Sequence, residues 1–136
     1  MARPPATTGA SPGTDQRTTG PASPAQARDE ARTFLSALAP IPSRESVENV
    51  LLVVSELVTN ALRHAGGATA LRFTADPSTL HISVQDPSPE PPCERRPDMR
   101  GHDGGFGWLL VRNLARSVAV KPCGDGGKRV CVALPR

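Results

Sequence analysis

The sequence predicts an α+β fold, a two-layer sandwich in which three helices cover one face of a single mixed or antiparallel β-sheet. Two stretches, at about 23–40 and 43–64, repeat apolar residues at helical spacing, and a third follows the glycines near position 105. Four short runs alternate apolar and polar residues, as half-buried strands do. Such a combination is typical of a helix layer packed on one sheet.

The composition is that of one small domain. The chain has 136 residues, 38% of them hydrophobic but only 3% aromatic, so Leu, Val, Ala and Ile must build the core. No apolar run is long enough to span a bilayer, and the first 16 residues lack the apolar segment of a secretory signal. A net charge of +3 from scattered arginines, with few aromatics to stack bases, argues against direct nucleic-acid binding. We therefore expect a cytoplasmic protein without membrane contact.

The chain divides into a tail and a folded domain near residue 23. Residues 1–23 are rich in Pro, Ala, Thr, Gly and Ser, a composition that predicts disorder. Residues 24–136 carry all the periodic patterns and form the predicted domain. The three cysteines are odd in number and lack C-x-x-C spacing, so they are predicted to be reduced thiols: Cys93, Cys123 and Cys131.

Start and stop signals predict the first two helices. Ser23 can cap the first helix, and the prolines at positions 40 and 42 end it. Ser43 can cap the second helix, which runs to about His64 and stops at the two glycines after Ala65.

The second helix places polar residues along one side. On a helical wheel Glu56, Thr59, Asn60, Arg63 and His64 share one arc, with Leu52 and Val53 at its edges. This arc is either the solvated side of an amphipathic helix or the wall of a cleft. In a cleft, a carboxylate can accept a proton and an amide oxygen suits Mg²⁺. The apolar residues share the opposite arc: Val50, Leu51, Val54, Leu57, Val58, Ala61 and Leu62.

A hairpin follows the second helix. The runs at 68–76 and 79–86 alternate like strands, and an Asp-Pro-Ser turn separates them. Asp86 ends the second run, in phase with its apolar residues. It is either a turn-starting aspartate or, facing a pocket, an acceptor for an exocyclic amine.

A proline-rich loop leads into the third helix. The stretch "GHDGGFGWLLV" places four glycines around the start of an apolar helix, which suits either phosphate binding by backbone amides or a flexible hinge. "SVAVKP" and "KRVCVALP" then close the chain as two strands around the turn "CGDGG". Lys128, at the start of the last strand, is expected to be a solvated lysine.

The order and spacing of these features resemble the GHKL ATPase family, which includes gyrase, heat-shock-90, histidine kinase and mismatch-repair proteins. The stretches "SELVTNALRHAGG", "DPSPEPP" and "DGGFGWLLV" look most similar to the stand-alone anti-sigma-factor serine kinases of actinomycetes. The resemblance covers about residues 25–135.

The resemblance implies a role for each matching side chain. Glu56 would orient or deprotonate the attacking group, Asn60 would bind Mg²⁺, and Asp86 would accept a hydrogen bond from the adenine amino group. A few distant relatives use a lysine near the γ-phosphate, the alternative role for Lys128.

The resemblance also implies an ATP site built from backbone and loop. The amides of Gly104, Gly105 and Gly107 would hold the phosphates, and residues 87–103 would form a lid between the strand and the third helix. Ser88 stands at the nucleotide-binding position where the family usually has a glycine.

The function that this resemblance implies is an ATP- and Mg²⁺-dependent serine/threonine kinase. Such a kinase phosphorylates an anti-anti-sigma-type (STAS-like) partner protein and sequesters a sigma factor, and homodimers are common among its relatives. The alternative is a nucleotide-gated regulator that binds a partner without transferring phosphate; Ser88 and the short lid favour it, whereas Glu56 and Asn60 favour the kinase.

Overall fold

The computed structural model describes residues 15–20, 23–90 and 105–136, which form three helices and five strands. The helices are α1 (Pro24–Ser36), α2 (Arg44–Ala65) and α3 (Gly105–Leu114). The strands are β1 (Asp15–Thr19), β2 (Ala70–Ala75), β3 (Thr79–Asp86), β4 (Ser117–Pro122) and β5 (Lys128–Pro135).

The strands form one antiparallel sheet in the order β1-β2-β3-β5-β4. β5 lies between β3 and β4, although it follows both in the chain. The helices pack on one face of this sheet, with α1 over β1 and β2 and α2 over β3 and β5. The predicted α+β sandwich is therefore confirmed, and the sheet is antiparallel rather than mixed.

β1 is a strand that the composition did not predict. It lies inside the tail expected to be disordered, yet all five of its residues pair with β2. Asp15 accepts two hydrogen bonds from the Arg72 guanidinium, at 3.1 and 2.8 Å. Gln16 donates from its side chain to the Glu30 carbonyl oxygen of α1, at 2.9 Å. These partners are distant in sequence, so a local composition cannot reveal them. Residues 1–14 of the predicted tail lie outside the described residues.

The helix ends follow the predicted capping signals. The Ser23 hydroxyl accepts a hydrogen bond from the Gln26 amide, and the Ser43 hydroxyl accepts one from Ser46. The backbone amides in the first turn of a helix have no acceptor within the helix, and each of these bonds supplies one. α2 ends at Gly66, whose φ of 78° is the left-handed conformation that favours glycine.

The core lies between the helices and the inner face of the sheet. Phe34 of α1 stacks on Phe73 of β2, with ring centroids 5.4 Å apart. The predicted apolar arc of α2 is wrong at its margins: Leu62 is 39% exposed, whereas Val53, expected at the edge of the polar arc, is fully buried. α3 packs against α2, a contact that the periodicity of α2 alone does not reveal. The remaining buried residues of α2 are as predicted: Val50, Val54, Leu57, Val58 and Ala61.

The turn between β4 and β5 packs tightly against the end of β3. Gly127 is buried, and a Cβ atom at this position would overlap the carbonyl oxygen of Asp86 and lie 3.0 Å from the Cα atom of Pro87. The obstacle is backbone, which cannot move aside as a flexible side chain does. Only glycine therefore fits this position without displacing the end of β3.

Gly127→Ala is expected to lower the free energy of unfolding by about 1–3 kcal/mol, the usual cost of overpacking. Gly124→Ala is the matched control in the same turn, because a Cβ at Gly124 meets nothing within 4 Å. Urea denaturation of both variants measures the difference. Equal stabilities of the two variants would show that the close approach at Gly127 is relaxed in solution.

Candidate functional site

The structure gathers the described candidate residues into two clusters. In the helix cluster Glu56 of α2 lies against Gly107 in the first turn of α3, with Asn60 one turn further along α2 and Gly105 in the same turn of α3. The strand cluster lies at one end of the sheet and contains Asp86, Ser88 and Lys128. α2 links the two clusters because it packs both on α3 and across β3 and β5. Gly104, and the predicted lid beyond residue 90, lie outside the described residues.

Glu56 lies directly against the start of α3. A Cβ atom at Gly107 would overlap the Glu56 carboxylate, so the absence of a side chain there lets the carboxylate reach the backbone of α3. The first turn of a helix carries amides without internal partners and the positive end of the helix dipole. The carboxylate of α2 and the amide-rich end of α3 therefore share one small space.

Burial raises the pKa of Glu56 above its ordinary value, and the positive charge of Arg63 partly offsets this rise. The side chain is half-buried rather than sealed. A carboxylate with a raised pKa binds a proton more readily, so it is a better general base than a solvated glutamate.

Asn60 lies one turn beyond Glu56 and is also half-buried. Val53, one turn before Glu56, is fully buried, whereas Arg63 and His64 at the end of the predicted polar arc are exposed. The arc is therefore partly covered near Glu56 and open to solvent near its C-terminal end. No cluster of three or more His, Cys, Asp or Glu in the described part of the chain could hold a metal ion by itself. Asn60 instead suits a Mg²⁺ ion that has few protein ligands and takes its other ligands from phosphates and water.

Asp86 and Lys128 form a buried ion pair. They are register partners on β3 and β5, and both side chains point to the helix side of the sheet. The Lys128 Nζ atom donates to Asp86 Oδ1 at 2.9 Å, and each side chain is only 5% exposed. The expectation that Lys128 is solvated is therefore wrong. It occupies the same inward phase of β5 as Val130 and Val132, and the carboxylate opposite satisfies its charge.

Ser88 belongs to the turn that holds Asp86. Its amide donates to Asp86 Oδ1 at 2.9 Å, its carbonyl oxygen accepts from Lys128 at 3.3 Å, and its hydroxyl accepts from the Glu90 amide at 3.2 Å. Among the described residues only glycines have positive φ, so this serine sits in an ordinary backbone conformation. A glycine is not required here for backbone reasons.

Two features of the site were missed by the sequence reasoning. One is the partner of Asp86, which the alternation of β5 signals, because Lys128 stands in phase with three buried apolar residues. The other is the contact between Glu56 and Gly107, which joins residues far apart in the chain and has no local signal. Of the predicted reduced thiols, Cys123 and Cys131 are free, and Cys93 lies outside the described residues.

A sequence model of the histidine kinase-like ATPase domain matches residues 20–134, so the chain belongs to the family of histidine kinase-like ATPase domains. Membership of this family of ATPase domains implies that the chain binds ATP. No helix in the described ranges combines the length and hydrophobicity needed to cross a bilayer.

A solved structure with the same fold is a chain from the SiaB-SiaC complex of Pseudomonas aeruginosa. The two chains superimpose with a TM-score of 0.55 and 13% sequence identity, over 89% of each. At this identity the similarity establishes the fold alone. A search of curated proteins finds no match.

The buried pair leads to a prediction about stability. Lys128→Met and Asp86→Leu are each expected to lower the free energy of unfolding by about 3–5 kcal/mol, because each leaves one buried charge without its partner. The double variant is expected to lose less than either single variant, because it leaves no unpaired charge. Urea denaturation of the four proteins measures the coupling. Additive losses would contradict the pairing.

The burial of Glu56 leads to a prediction about pH. Below the ordinary pKa of 4.5 the carboxyl is protonated in both the folded and the unfolded chain, so Glu56→Gln has no charge effect there. As the pH rises through the raised pKa, ionisation disfavours the folded wild type, and the variant gains melting temperature relative to it. The gain reaches its full size once the pH exceeds the raised pKa.

Thermal melts between acidic and neutral pH measure this difference. Glu48→Gln is the control, because Glu48 lies on the exposed side of the same helix in a weak salt bridge with Arg44. Neutralising Glu48 should not raise the melting temperature. A pH-independent effect of Glu56→Gln would show that burial does not disfavour the ionised carboxylate.

Proposed function

We propose that this chain is an ATP-dependent regulatory serine/threonine kinase that phosphorylates an anti-anti-sigma-type partner protein and also sequesters a sigma factor. The observation that carries the proposal is the Glu56 carboxylate, half-buried with a raised pKa against the glycine start of α3. A proton acceptor next to the amides of a helix N-terminus suits transfer of a phosphoryl group to a hydroxyl.

The donor and acceptor set of the two clusters fits Mg²⁺-ATP. The amides at the start of α3 favour phosphate oxygens, the Asn60 amide oxygen suits Mg²⁺, and Asp86 offers an acceptor to the amino group of adenine. ATP supplies the phosphoryl group, and Mg²⁺ neutralises the charge on its phosphates. The family membership of the chain supports ATP binding, and the residues assigned to it here are part of the proposal.

Glu56 acts in this proposal as the general base. Its pKa is raised by burial, so it binds the proton of an incoming serine or threonine hydroxyl more readily than a solvated glutamate does. Gly107 contributes by having no side chain, because any Cβ would displace the carboxylate from the start of α3. The packing of α2 on α3 keeps the base and the phosphate-binding amides at a fixed separation.

The proposed partners follow from the resemblance and from the structural neighbour, which was solved as a complex of two proteins. We also propose that the kinase acts in the cytoplasm, where it meets both the anti-anti-sigma-type protein and the sigma factor. A homodimer is part of the same proposal. The second candidate function is a nucleotide-gated regulator without transfer activity. The observation that favours it is the strand cluster, where Lys128 already occupies one oxygen of Asp86.

Calorimetric titration with ATP, with and without Mg²⁺, tests the nucleotide site. Asn60→Ala is expected to lose roughly tenfold or more of the Mg²⁺-dependent affinity, the equivalent of about 1.4 kcal/mol. Asn113→Ala, on the exposed side of α3, is the matched control and should bind as the wild type does. If the wild type binds no ATP, the proposed kinase is wrong.

Transfer of γ-labelled phosphate from ATP to the anti-anti-sigma-type proteins of the same genome separates the two candidate functions. Glu56→Gln should bind ATP but transfer phosphate about 10²–10⁴-fold more slowly, the usual contribution of a general base. Glu48→Gln should retain the wild-type rate. Binding of ATP and of a partner protein without any transfer by the wild type would favour the nucleotide-gated regulator.

A further inference from the structure

The strand cluster contains a charge that the proposed function does not use. A lone carboxylate would suffice to accept a hydrogen bond from an adenine amino group, yet Asp86 is paired with Lys128 in a setting where each side chain is 5% exposed. Buried ion pairs add little net stability compared with apolar residues of similar volume, because both charges must be desolvated. The burial of Lys128 beside Asp86 is therefore better explained by a function than by a gain in stability.

Asp86 and Lys128 each keep a hydrogen-bonding position that the described residues do not use. Oδ1 of Asp86 accepts from Lys128 and from the Ser88 amide, and none of the described residues donates to Oδ2. No fully buried side-chain nitrogen or oxygen of the described part lacks a hydrogen-bond partner, so Oδ2 is not an unpartnered atom sealed from its surroundings. Lys128 has three N–H donors and uses two, on Asp86 Oδ1 and on the Ser88 carbonyl oxygen. One acceptor and one charged donor thus remain side by side for a ligand.

The edge of a purine ring offers the complementary pair in two forms. A 6-aminopurine presents an exocyclic N–H donor beside the N1 acceptor, and a 6-oxopurine presents the O6 acceptor beside the N1–H donor. A lone carboxylate accepts from the first form but repels the oxygen of the second. A carboxylate beside an ammonium can complement both, because the ammonium donates to N1 in one case and to O6 in the other.

We infer that Lys128 determines nucleobase specificity and allows this site to bind 6-oxopurine nucleotides, the guanine and hypoxanthine forms, as well as adenine nucleotides. The inference rests on the proposed nucleotide-binding function. Its basis is the position of Lys128 opposite Asp86 in the β3–β5 register, with the Ser88 turn fixing both groups. Gly127 keeps the end of β3 close enough for that register to hold.

Calorimetric titration of the wild type with the Mg²⁺ complexes of ATP, GTP and ITP is the test. The affinities for GTP and ITP are expected to lie within about tenfold of the affinity for ATP, because each base forms one bond to each member of the pair. ITP lacks the 2-amino group of GTP, so similar values for the two assign the effect to the 6-oxo edge. A preference for ATP over both of more than about 100-fold would overturn the inference.

Lys128→Met provides the second comparison. It removes the charged donor and leaves a lone carboxylate, which still accepts from the adenine amino group but repels O6, so GTP and ITP binding should weaken about 10- to 100-fold more than ATP binding. Lys121→Met makes the same change at an exposed lysine of β4 and should leave all three affinities unchanged. An equal loss for all three nucleotides in Lys128→Met would show a purely structural role and overturn the inference.

If Lys128→Met does not fold, Lys128→Gln removes the charge while keeping an N–H donor for Asp86, and the nucleotide selectivity of the wild type can be measured without any variant.

Two further outcomes separate this inference from the proposed function. If the wild type binds ATP but excludes the 6-oxopurines, the proposed function stands and this inference fails. If it binds none of the three nucleotides, both fail.

Discussion

The packing of α2 against the sheet, α1 and α3 is the constraint on which the rest of the structure depends. This helix lies across β3 and β5, contacts α1 on one side and α3 on another, and contributes six buried side chains to the core. So much burial fixes its rotation about its own axis. Once that rotation is fixed, the position of every polar residue on α2 is fixed with it, and Glu56 must meet the start of α3.

The two clusters use opposite ways of keeping charge inside a small protein. In the helix cluster a carboxylate remains half-buried, and burial raises its pKa although the positive charge of Arg63 offsets part of the rise. In the strand cluster a carboxylate is more deeply buried but is neutralised by Lys128 at 2.9 Å. The first arrangement leaves a group that binds a proton more readily than a solvated glutamate does, whereas the second places two opposite charges in direct contact.

The parts of the fold that the sequence predicted are those with local causes. Ser23, Ser43 and Gly66 delimit helices through bonds to residues a few positions away, and the phase of β3 predicted the inward direction of Asp86. β1 was missed because its stabilising partners lie on β2 and α1, distant in the chain.

Lys128 was misjudged for a different reason. The general tendency of lysine to be exposed was given more weight than the alternation of its own strand, which places it with the buried valines. The contact between Glu56 and Gly107 could not be predicted at all, because it depends on how two helices meet. The order of motifs supplied the family, and only the three-dimensional packing supplied the chemistry of the pairings.

The position of β5 has a consequence for biosynthesis. Because β5 lies between β3 and β4 but follows both in the chain, these two strands have no partner on their facing edges until the ribosome has released β5. A nascent chain ending before Lys128 would expose those strand edges and leave Asp86 without its counter-charge. The Asp86–Lys128 pair therefore cannot form before β5 has been synthesised, and a product truncated before Lys128 could not acquire it.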